Sequence, residues 1–455
     1  MKNITVNKSW LSNSDLRLDA SFHLSDAVKT KIIFDSHCPY DKVYLKSEAL
    51  QLYKGNIHKR VYVPSPEAGL TFLSASDLFK SDTKTRTYVS KKYSPYLKEL
   101  ELHKKWILVT RSGTLGKVVF TNKEHEGKIG TDDLVRIKPA NHKLQEGFLY
   151  ALLASKYGFG LLTQSGYGGV VKHIEPHHIE NIEIPVFPDK LQVEINDLIT
   201  DSANHRVEAA KSLRKSHSFF HDRLKGSIEN EKHDLIDSKR LQREFRFGGN
   251  FFLSQGESFE KEIRQQGHFS LSEFVTNIFT SGREKRNYTT SERGIPFLSN
   301  GDLASFNPFS SCNYIVKKNI KRHSLIKENM ILAGRVGQDT VGQVYLPYPS
   351  LVNTVASDNI IRIVIEDKKN LPFIFSFLSS NVGYEIIRKR KTGVGQPFIT
   401  EDMLFTIPIP TLEKKEIESI NHHISEYKSH LDSALKGELK AIELVENEIE
   451  SWQKS

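Results

Sequence analysis

The chain has 455 residues and a formal net charge of +9, with 64 Lys and Arg against 55 Asp and Glu. This length exceeds what one hydrophobic core usually serves, so at least two domains are expected, and the basic balance favours a polyanionic partner. Two distant cysteines, Cys38 and Cys312, argue against a disulfide framework or a thiolate zinc site and fit a reducing cytoplasm. We find no secretory leader and no membrane-spanning apolar run, so a cytoplasmic protein is expected.

Residues 1–188 are predicted to form the first domain. Short β-rich segments (WILVT, KVVF, DLVRIK) alternate with turns, and a helix (GFLYALLAS) and a strand closing on Ile-Pro follow. The stretch WILVTRSGTLGKVVF, from Trp106 to Phe120, has the glycines and lysine of a phosphate-binding loop. Its spacing does not fit a Walker loop, because the two glycines are too close together and a valine follows the lysine. We therefore predict that RSGTLG is a turn between two strands.

The rest of the chain repeats this pattern. Residues 189–227 are predicted to form a long helix, residues 228–410 a second domain and residues 411–455 a second long helix. GLTFLSASDL, from Gly69, recurs 225 positions later as GIPFLSNGDL, from Gly294. HKRVY likewise recurs as EKRNY and TDDLVRI as SDNIIRI, in the same order, so the two domains are copies of one α+β unit.

Both long segments carry an apolar stripe. In the second, apolar residues recur at alternating spacings of three and four, as in the seam of a coiled coil, and the first is sparser and more polar. We predict an α+β protein with two homologous mixed α/β target recognition domains, separated by two long helices that form an antiparallel coiled coil. The alternative is that each helix folds back on its own domain. The predicted helix-pairing residues are Leu191, Ile195, Ile199, Ile417, Ile420, Ile424, Tyr427 and Leu431.

Basic residues beside turns are the candidate DNA contacts. Both copies place Lys-Arg-x-Tyr just before the Gly-x-x-Phe-Leu-Ser strand, and each places an arginine after a buried-looking strand. Cations beside an aromatic hydroxyl suit a phosphate or a guanine edge. A solvated structural turn fits the same pattern, and Arg111 could instead pair internally with an acid such as Asp132. The candidates are Lys59, Arg60, Tyr62, Lys84, Arg86, Arg111, Lys172, Lys285, Arg286, Tyr288, Arg335, Arg388, Lys389, Arg390 and Lys391, with further basic clusters at Lys91 and at Lys317–Arg322.

The tandem arrangement resembles the specificity subunit of type I restriction-modification systems. The resemblance rests on the paired blocks GNIHKRVYVPSPEAGLTFLSASDL and GREKRNYTTSERGIPFLSNGDL, on ILVTRSGTLGKV with TDDLVRI, and on GYGGVVKHIEPHHIENIEIP before a long helix. It implies a non-catalytic subunit of a defence system, in which each target recognition domain reads one half of a split duplex DNA sequence. The paired helices would set the gap and dock two methyltransferase subunits, and a restriction subunit that translocates DNA would join for cleavage.

Differences between the copies imply unlike half-sites. The second copy carries an insertion at Gln338 and Asp339, and GQPFITEDM stands where the first has VVKHIEPHH. We therefore expect an asymmetric target, no cofactor and no membrane partner.

Catalytic interpretations are weaker. A methyltransferase would show a Gly-rich cofactor turn and an Asp/Asn-Pro-Pro-aromatic segment, and NPFS lacks the second proline. Asp358, Glu366 and Lys368 have the spacing of a metal-dependent nuclease, but the first copy lacks the matching acids. A metal site built from His173, His177 and His178, or from His422 and His423, is disfavoured by Pro176 and by the different helix faces expected of adjacent residues. Two alternatives stay open: a DNA-binding module of another defence nuclease or methyltransferase, and a protein-binding scaffold.

Overall fold

A computed structural model describes residues 23, 26–164, 173–225, 238–239, 242, 248–283 and 285–453. The chain divides into two compact units, residues 1–207 with 433–455, and residues 208–432. Each unit therefore combines one of the repeated domains with part of both long helices. In the described residues, no helix combines the length and hydropathy that crossing a bilayer requires.

The first domain and the helix that follows it contain α1 (Asp26–Ser36), β1 (Lys42–Tyr44), β2 (Ala49–Lys54), β3 (Tyr62–Val63), β4 (Gly69–Leu73), β5 (Tyr88–Ser90), α2 (Leu97–Leu100), β6 (Ile107–Thr110), β7 (Val118–Phe120), β8 (Ile129–Gly130), β9 (Leu134–Pro139), α3 (Glu146–Ala154), α4 (Lys156–Gln164), α5 (Pro176–Ile179), β10 (Glu183–Pro185) and α6 (Asp189–Arg223). The strands form two four-stranded sheets, ordered β2-β9-β6-β7 and β3-β5-β4-β8, and the pair β1-β10.

The second domain and its helix contain α7 (Gly249–Phe252), α8 (Gln255–Gln266), β11 (His268–Ser270), β12 (Asn277–Phe279), β13 (Tyr288–Thr289), β14 (Gly294–Leu298), α9 (Asn300–Ala304), β15 (Asn313–Val316), β16 (Met330–Gly334), β17 (Val344–Tyr345), β18 (Val355–Ala356), β19 (Ile360–Val364), α10 (Asn370–Ser379), α11 (Asn381–Lys389), α12 (Asp402–Phe405), β20 (Pro408–Pro410) and α13 (Lys414–Ser451). The sheets are ordered β12-β19-β16-β17 and β13-β15-β14-β18, with the pair β11-β20.

The two sheet arrangements are the same strand for strand. In each copy the Gly-x-x-Phe-Leu strand, β4 or β14, pairs antiparallel on one side and parallel on the other. The central strands β6 and β16 are buried on both faces, as their unbroken apolar sequences ILVT and MILAG require. Helices α3 and α10 are apolar all round and almost wholly buried. The predicted repeat of one α+β unit is confirmed.

A buried arginine joins the two four-stranded sheets in each copy. Arg136 on β9 is fully buried, and its Nη2 donates to the carbonyls of Gly130 on β8 at 3.3 Å and of Thr131 at 2.9 Å. Arg362 on β19 is also fully buried, and its Nη2 donates to the carbonyl of Ala356 on β18 at 2.6 Å. Burial lowers the pKa of Arg136. Each guanidinium thus satisfies carbonyls that the chain exposes between its sheets.

The long helices pack with both domains. In the first unit, Ile195 and Ile199 of α6 lie in one core with Val445 and Ile449 of α13. In the second unit, Leu213 and Phe220 of α6 lie in one core with Ile420 and Ile424 of α13. Because each helix contributes to two units, the alternative in which it folds back on its own domain alone is wrong.

The helices run antiparallel where the second unit contains them. Ser212 donates to Glu426, and Arg223, farther along α6, donates to Glu416, earlier on α13. The antiparallel pair predicted from sequence is therefore confirmed. The predicted seam faces the domains as well as the other helix, since Tyr427 stacks on Phe375 at 5.9 Å between ring centroids. Leu191, Ile195, Ile199, Ile417, Ile420, Ile424, Tyr427 and Leu431 are all buried or half-buried.

Replacing Arg136 by Met should destabilise the first unit by at least about 3 kcal/mol, because hydrogen bonds from a charged donor are removed and buried carbonyls are left without partners. Chemical denaturation of the full chain measures the free energy of unfolding. The control is Lys138→Met on the same strand, which lies half-exposed and should change stability by less than about 0.5 kcal/mol. Equal effects of the two substitutions would contradict the role of Arg136.

Candidate nucleic-acid interface

The Lys-Arg-x-Tyr segment of the first domain lies beside a second pair of lysines. Tyr62 on β3 pairs with Val89 on β5, and the Ser90 N–H donates to the Val61 carbonyl at 2.8 Å. This antiparallel register brings the residues before β3 alongside those after β5. Lys59, Arg60, Lys91 and Lys92 therefore lie together, and we name them the first basic corner.

The second domain repeats this arrangement. Tyr288 on β13 pairs with Ile315 on β15, and the Val316 N–H donates to the Asn287 carbonyl at 3.0 Å. The second basic corner therefore consists of Lys285, Arg286, Lys317 and Lys318. All six lysines of the two corners are exposed. Along the sequence these lysines form separate clusters, and the strand register is what brings them together.

The arginine of each corner is held by an acid and an aromatic ring. Arg60 donates to Asp132 at 2.7 Å and lies 5.1 Å from the centroid of Phe72. In the second copy, Arg286 pairs with Asp358 and lies 4.8 Å from the centroid of Phe297. The two arginines are thus fixed in place at the base of their corners.

The pairing of Arg286 with Asp358 also bears on the spacing of Asp358, Glu366 and Lys368, which is like that of a metal-dependent nuclease. Asp358 would have to bind a metal ion there, but it is buried and paired with Arg286. Glu366 accepts instead from the amide of Asn329 at 3.0 Å. The acids are engaged with different partners, in agreement with the interpretation of that spacing as coincidence.

A tyrosine stands exposed at each corner. Tyr62 and Tyr288 are each 56% exposed, and both occupy the same position in their strands. The first corner has two further exposed tyrosines, Tyr93 and Tyr96. Lysines with aromatic rings and hydroxyls at a surface can bind phosphates and stack against sugars or bases.

Arg111 does not point outward. Its Nε donates to Glu175 at 3.0 Å and its Nη1 to Asp133 at 3.2 Å, and Lys54 pairs with the same glutamate at 3.1 Å. Burial lowers the pKa of Arg111, but the two carboxylates outweigh it and raise the pKa overall. The internal pairing considered from sequence is therefore found, with Asp133 and Glu175 in place of Asp132, and it removes Arg111 from the candidate DNA surface.

The RSGTLG stretch is a turn between β6 and β7, as predicted. Its glycines are required by the backbone, since Gly113 and Gly116 have φ of 68° and 78°. A Cβ on Gly116 would also lie 2.5 Å from the Thr163 methyl group.

Of the four basic residues 388–391 at the end of α11, two are half-exposed and two are buried in the core. Lys389 and Arg390 are buried, and Lys389 Nζ lies 2.5 Å from Glu257 and 2.6 Å from Glu260. Burial alone would raise the pKa of Glu260, but Arg390 and Lys389 outweigh it and lower the pKa to about 2. The prediction that Lys389 and Arg390 contact DNA is therefore wrong, because their charges are neutralised inside the domain.

Six further candidates remain, and Arg335 among them is half-buried. Arg388 is half-exposed and donates to the Gln338 carbonyl at 2.7 Å, and Lys391 is half-exposed. Lys84 and Arg86 are exposed. Lys172 lies outside the described residues.

The histidine groups differ from expectation in one respect. His178 Nδ1 accepts from the Glu175 N–H at 3.0 Å, as part of the cap of α5. On α13, His422 is exposed and His423 is half-buried, as expected of adjacent residues on different faces, yet both approach Glu426, at 3.4 and 3.2 Å. Hydrogen bonding from His423 lowers the pKa of Glu426.

These observations define a class: a tandem protein with two α+β domains, each bearing a basic corner, joined by long paired helices. Residues 68–214 match the family model described as the type I restriction modification DNA specificity domain. This part of the chain is therefore similar to a type I DNA specificity domain, in agreement with the resemblance drawn from the sequence. The strand-for-strand repeat makes the second domain a copy of the first.

Three solved structures are among those that match the chain. The S subunit of a type I restriction-modification system from M. genitalium is 13% identical, with a TM-score of 0.37 over 92% of this chain and 96% of that one. The HsdS subunit from Thermoanaerobacter tengcongensis is 13% identical, with a TM-score of 0.28 over 91% and 96%. A structure described as the structural basis of complex assembly and conformational transition of the type I R-M system is 11% identical, with a TM-score of 0.28 over 91% and 96%. No curated protein matches the chain.

Replacing Lys389 by Met should destabilise the second unit by about 3–5 kcal/mol, because Glu257 and Glu260 lose their buried cation. The control is Lys261→Met, which removes an exposed lysine 3.9 Å from the same Glu257 and should have little effect. Thermal and chemical denaturation measure both variants. A stable Lys389 variant with weakened DNA binding would restore Lys389 to the DNA surface.

Proposed function

We propose that this protein is the non-catalytic DNA sequence-recognition subunit of a type I restriction-modification complex. Each domain reads one half of a bipartite, asymmetric duplex DNA target, and the long helices set the gap and dock the methyltransferase subunits. The observation that carries the proposal is the pair of basic corners, which occupy the same register position in both copies of a chain that is similar in part to a DNA specificity domain.

The corners suit the phosphate backbone. Each corner places four cations at one end of a small sheet, and Lys59, Lys91 and Lys92 of the first corner are exposed. Lysines that neutralise phosphates release counterions, so binding through these corners must weaken steeply with salt. Such contacts position the protein on the duplex, while base contacts select the sequence.

Two reading domains on one chain favour a split target. The corners share their lysines and tyrosine, but the sequence after the paired lysines differs, with YSPY in the first copy and NIKR in the second. Unlike surroundings at corresponding positions would select unlike half-sites. The target is therefore expected to be asymmetric rather than palindromic.

The helices are long enough to act as a spacer. At a rise of 1.5 Å per residue, the 35 residues of α6 and the 38 of α13 extend about 52 and 57 Å. Half-sites about one duplex turn apart, roughly 34 to 36 Å, lie within that length. In the cytoplasm, two methyltransferase subunits and a restriction subunit that translocates DNA would complete the assembly.

The function is tested by coexpressing the chain with its cognate methyltransferase in an unmethylated host and mapping modified bases by single-molecule sequencing. The expected result is one new motif, with two short unlike halves around a fixed unspecified gap. A stable complex without methylation would instead favour a DNA-binding module that guides another effector. A chain that binds no duplex DNA at all would favour a protein-binding scaffold.

Replacing Lys91 and Lys92 by Ala should weaken binding to all duplex sequences alike. The slope of the logarithm of affinity against the logarithm of salt concentration should decrease by about 0.9 for each phosphate that is no longer neutralised. Lys414→Ala with Lys415→Ala removes the same charge from an exposed part of α13 and serves as the control. An equal change in slope for both double variants would assign the effect to net charge and not to the corner.

A further inference from the structure

Arg111 and Arg335 occupy the same backbone position in the two domains. The Arg111 N–H donates to the Asp133 carbonyl at 3.3 Å, and its carbonyl accepts from Ile174 at 3.1 Å. The Arg335 N–H donates to the Asn359 carbonyl at 3.1 Å, and its carbonyl accepts from Ile399 at 3.0 Å. Asp133 in the first domain thus corresponds to Asn359 in the second, and Glu175, which follows Ile174, corresponds to Thr400.

The side chains of the two arginines have different surroundings. Asp133 and Glu175 both bind the Arg111 guanidinium, whereas their counterparts Asn359 and Thr400 carry no charge. The Arg335 Nε is buried and has no hydrogen-bond partner in the described part of the chain. The second domain therefore keeps the cation that the first domain neutralises.

Asn300 approaches the same place and is also incompletely paired. Its Nδ2 donates at 3.2 Å to the Asn359 carbonyl, which the Arg335 N–H also uses. Its Oδ1 is buried, with no partner among the described residues. The equivalent residue of the first domain is Ala75. The serines that precede Asn300 and Ala75 form the same turn, since the Ser299 N–H donates to Asp302 at 2.8 Å and the Ser74 N–H donates to Asp77 at 3.0 Å.

The two residues that share the Asn359 carbonyl, Arg335 through its backbone N–H and Asn300 through Nδ2, each carry a buried side-chain atom without a partner, and such atoms call for a ligand. A buried donor or acceptor without a partner costs free energy, and such groups are rare outside sites where something else supplies the partner. Arginine pairs in bidentate fashion with guanine O6 and N7, and asparagine with adenine N6 and N7. Together the two side chains offer the donors and the acceptor that purine edges in the major groove require.

We propose that Arg335 and Asn300 form a purine-reading site of the second domain, and that the first domain lacks this site because Asp133 and Glu175 hold Arg111 and Ala75 replaces the asparagine. This inference rests on the proposed function and adds to it which residues read bases in one half-site. The half-site read by the second domain then contains guanine or adenine positions that depend on these two side chains. The other half-site depends on different residues.

The test is to select bound sequences from a random duplex library with the full chain in complex with its methyltransferase, comparing wild type with Arg335→Ala, Arg335→Lys and Asn300→Ala. In each variant, the preference for the favoured base over the other bases should fall by about 5- to 150-fold at one or two positions in one half-site. The other half-site and the gap should not change. Arg335→Lys should keep affinity but lose preference, because lysine cannot make the bidentate contact.

A second variant transfers the arrangement of the first domain without removing Arg335. Asn359→Asp with Thr400→Glu supplies the two missing carboxylates and should abolish the same base preferences. Thr400→Gln, with Asn359 retained, has nearly the same shape without the charges and should leave the preferences unchanged. Melting temperatures of all variants identify any loss that comes from unfolding, and the lysine and glutamine variants remain informative if Arg335→Ala fails to fold.

The outcomes separate the two proposals. If wild type selects no bipartite sequence, the proposed function fails. If wild type selects one but the Arg335 variants weaken all sequences equally, Arg335 contacts phosphate and the inference is overturned. Unchanged preferences, or equal losses in both half-sites, would overturn it as well.

Discussion

The architecture of each domain depends on one buried arginine that joins its two sheets. Arg136 and Arg362 donate to carbonyls of the neighbouring sheet, and the same short segments carry acids that hold other arginines. In the first copy, TDDLVRI supplies Asp132 to Arg60 and Asp133 to Arg111. Fixing this segment by its buried arginine therefore also fixes the acids that hold Arg60 and Arg111.

Under the proposed function, a shared frame with exchanged side chains would let the two copies read different sequences. The strand orders are identical, and the backbone hydrogen bonds of Arg111 and Arg335 are equivalent, so the change from Asp133 to Asn359 alters the chemistry at one point of a shared frame. In the first domain the acids neutralise an arginine, and in the second its counterpart keeps its charge. Selectivity can then differ between the domains while the sheets and helices that support them stay the same.

The sequence predicted much of the organisation because repetition and periodicity are local signals. The duplication, the RSGTLG turn and the two long helices were all visible in residue order and spacing. The burial of Lys389 and Arg390 was not, because their acids Glu257 and Glu260 lie more than a hundred residues away in sequence. Comparing TDDLVRI with SDNIIRI could have shown that the second copy lacks one acid, but not which arginine that acid holds.

The sequence by itself determined the repeat, the α+β class and the long helices, because these follow from the order of apolar and turn-forming residues along the chain. Only the tertiary structure decided which cations are available for binding. Charge is compensated through space, so a basic residue such as Arg111 is neutralised by Glu175, which is distant in sequence. Lys59 and Lys92 lie together only because of the register between β3 and β5. Pairing of strands and burial of acids, which depend on the whole fold, therefore separate the structural arginines from those that can face DNA.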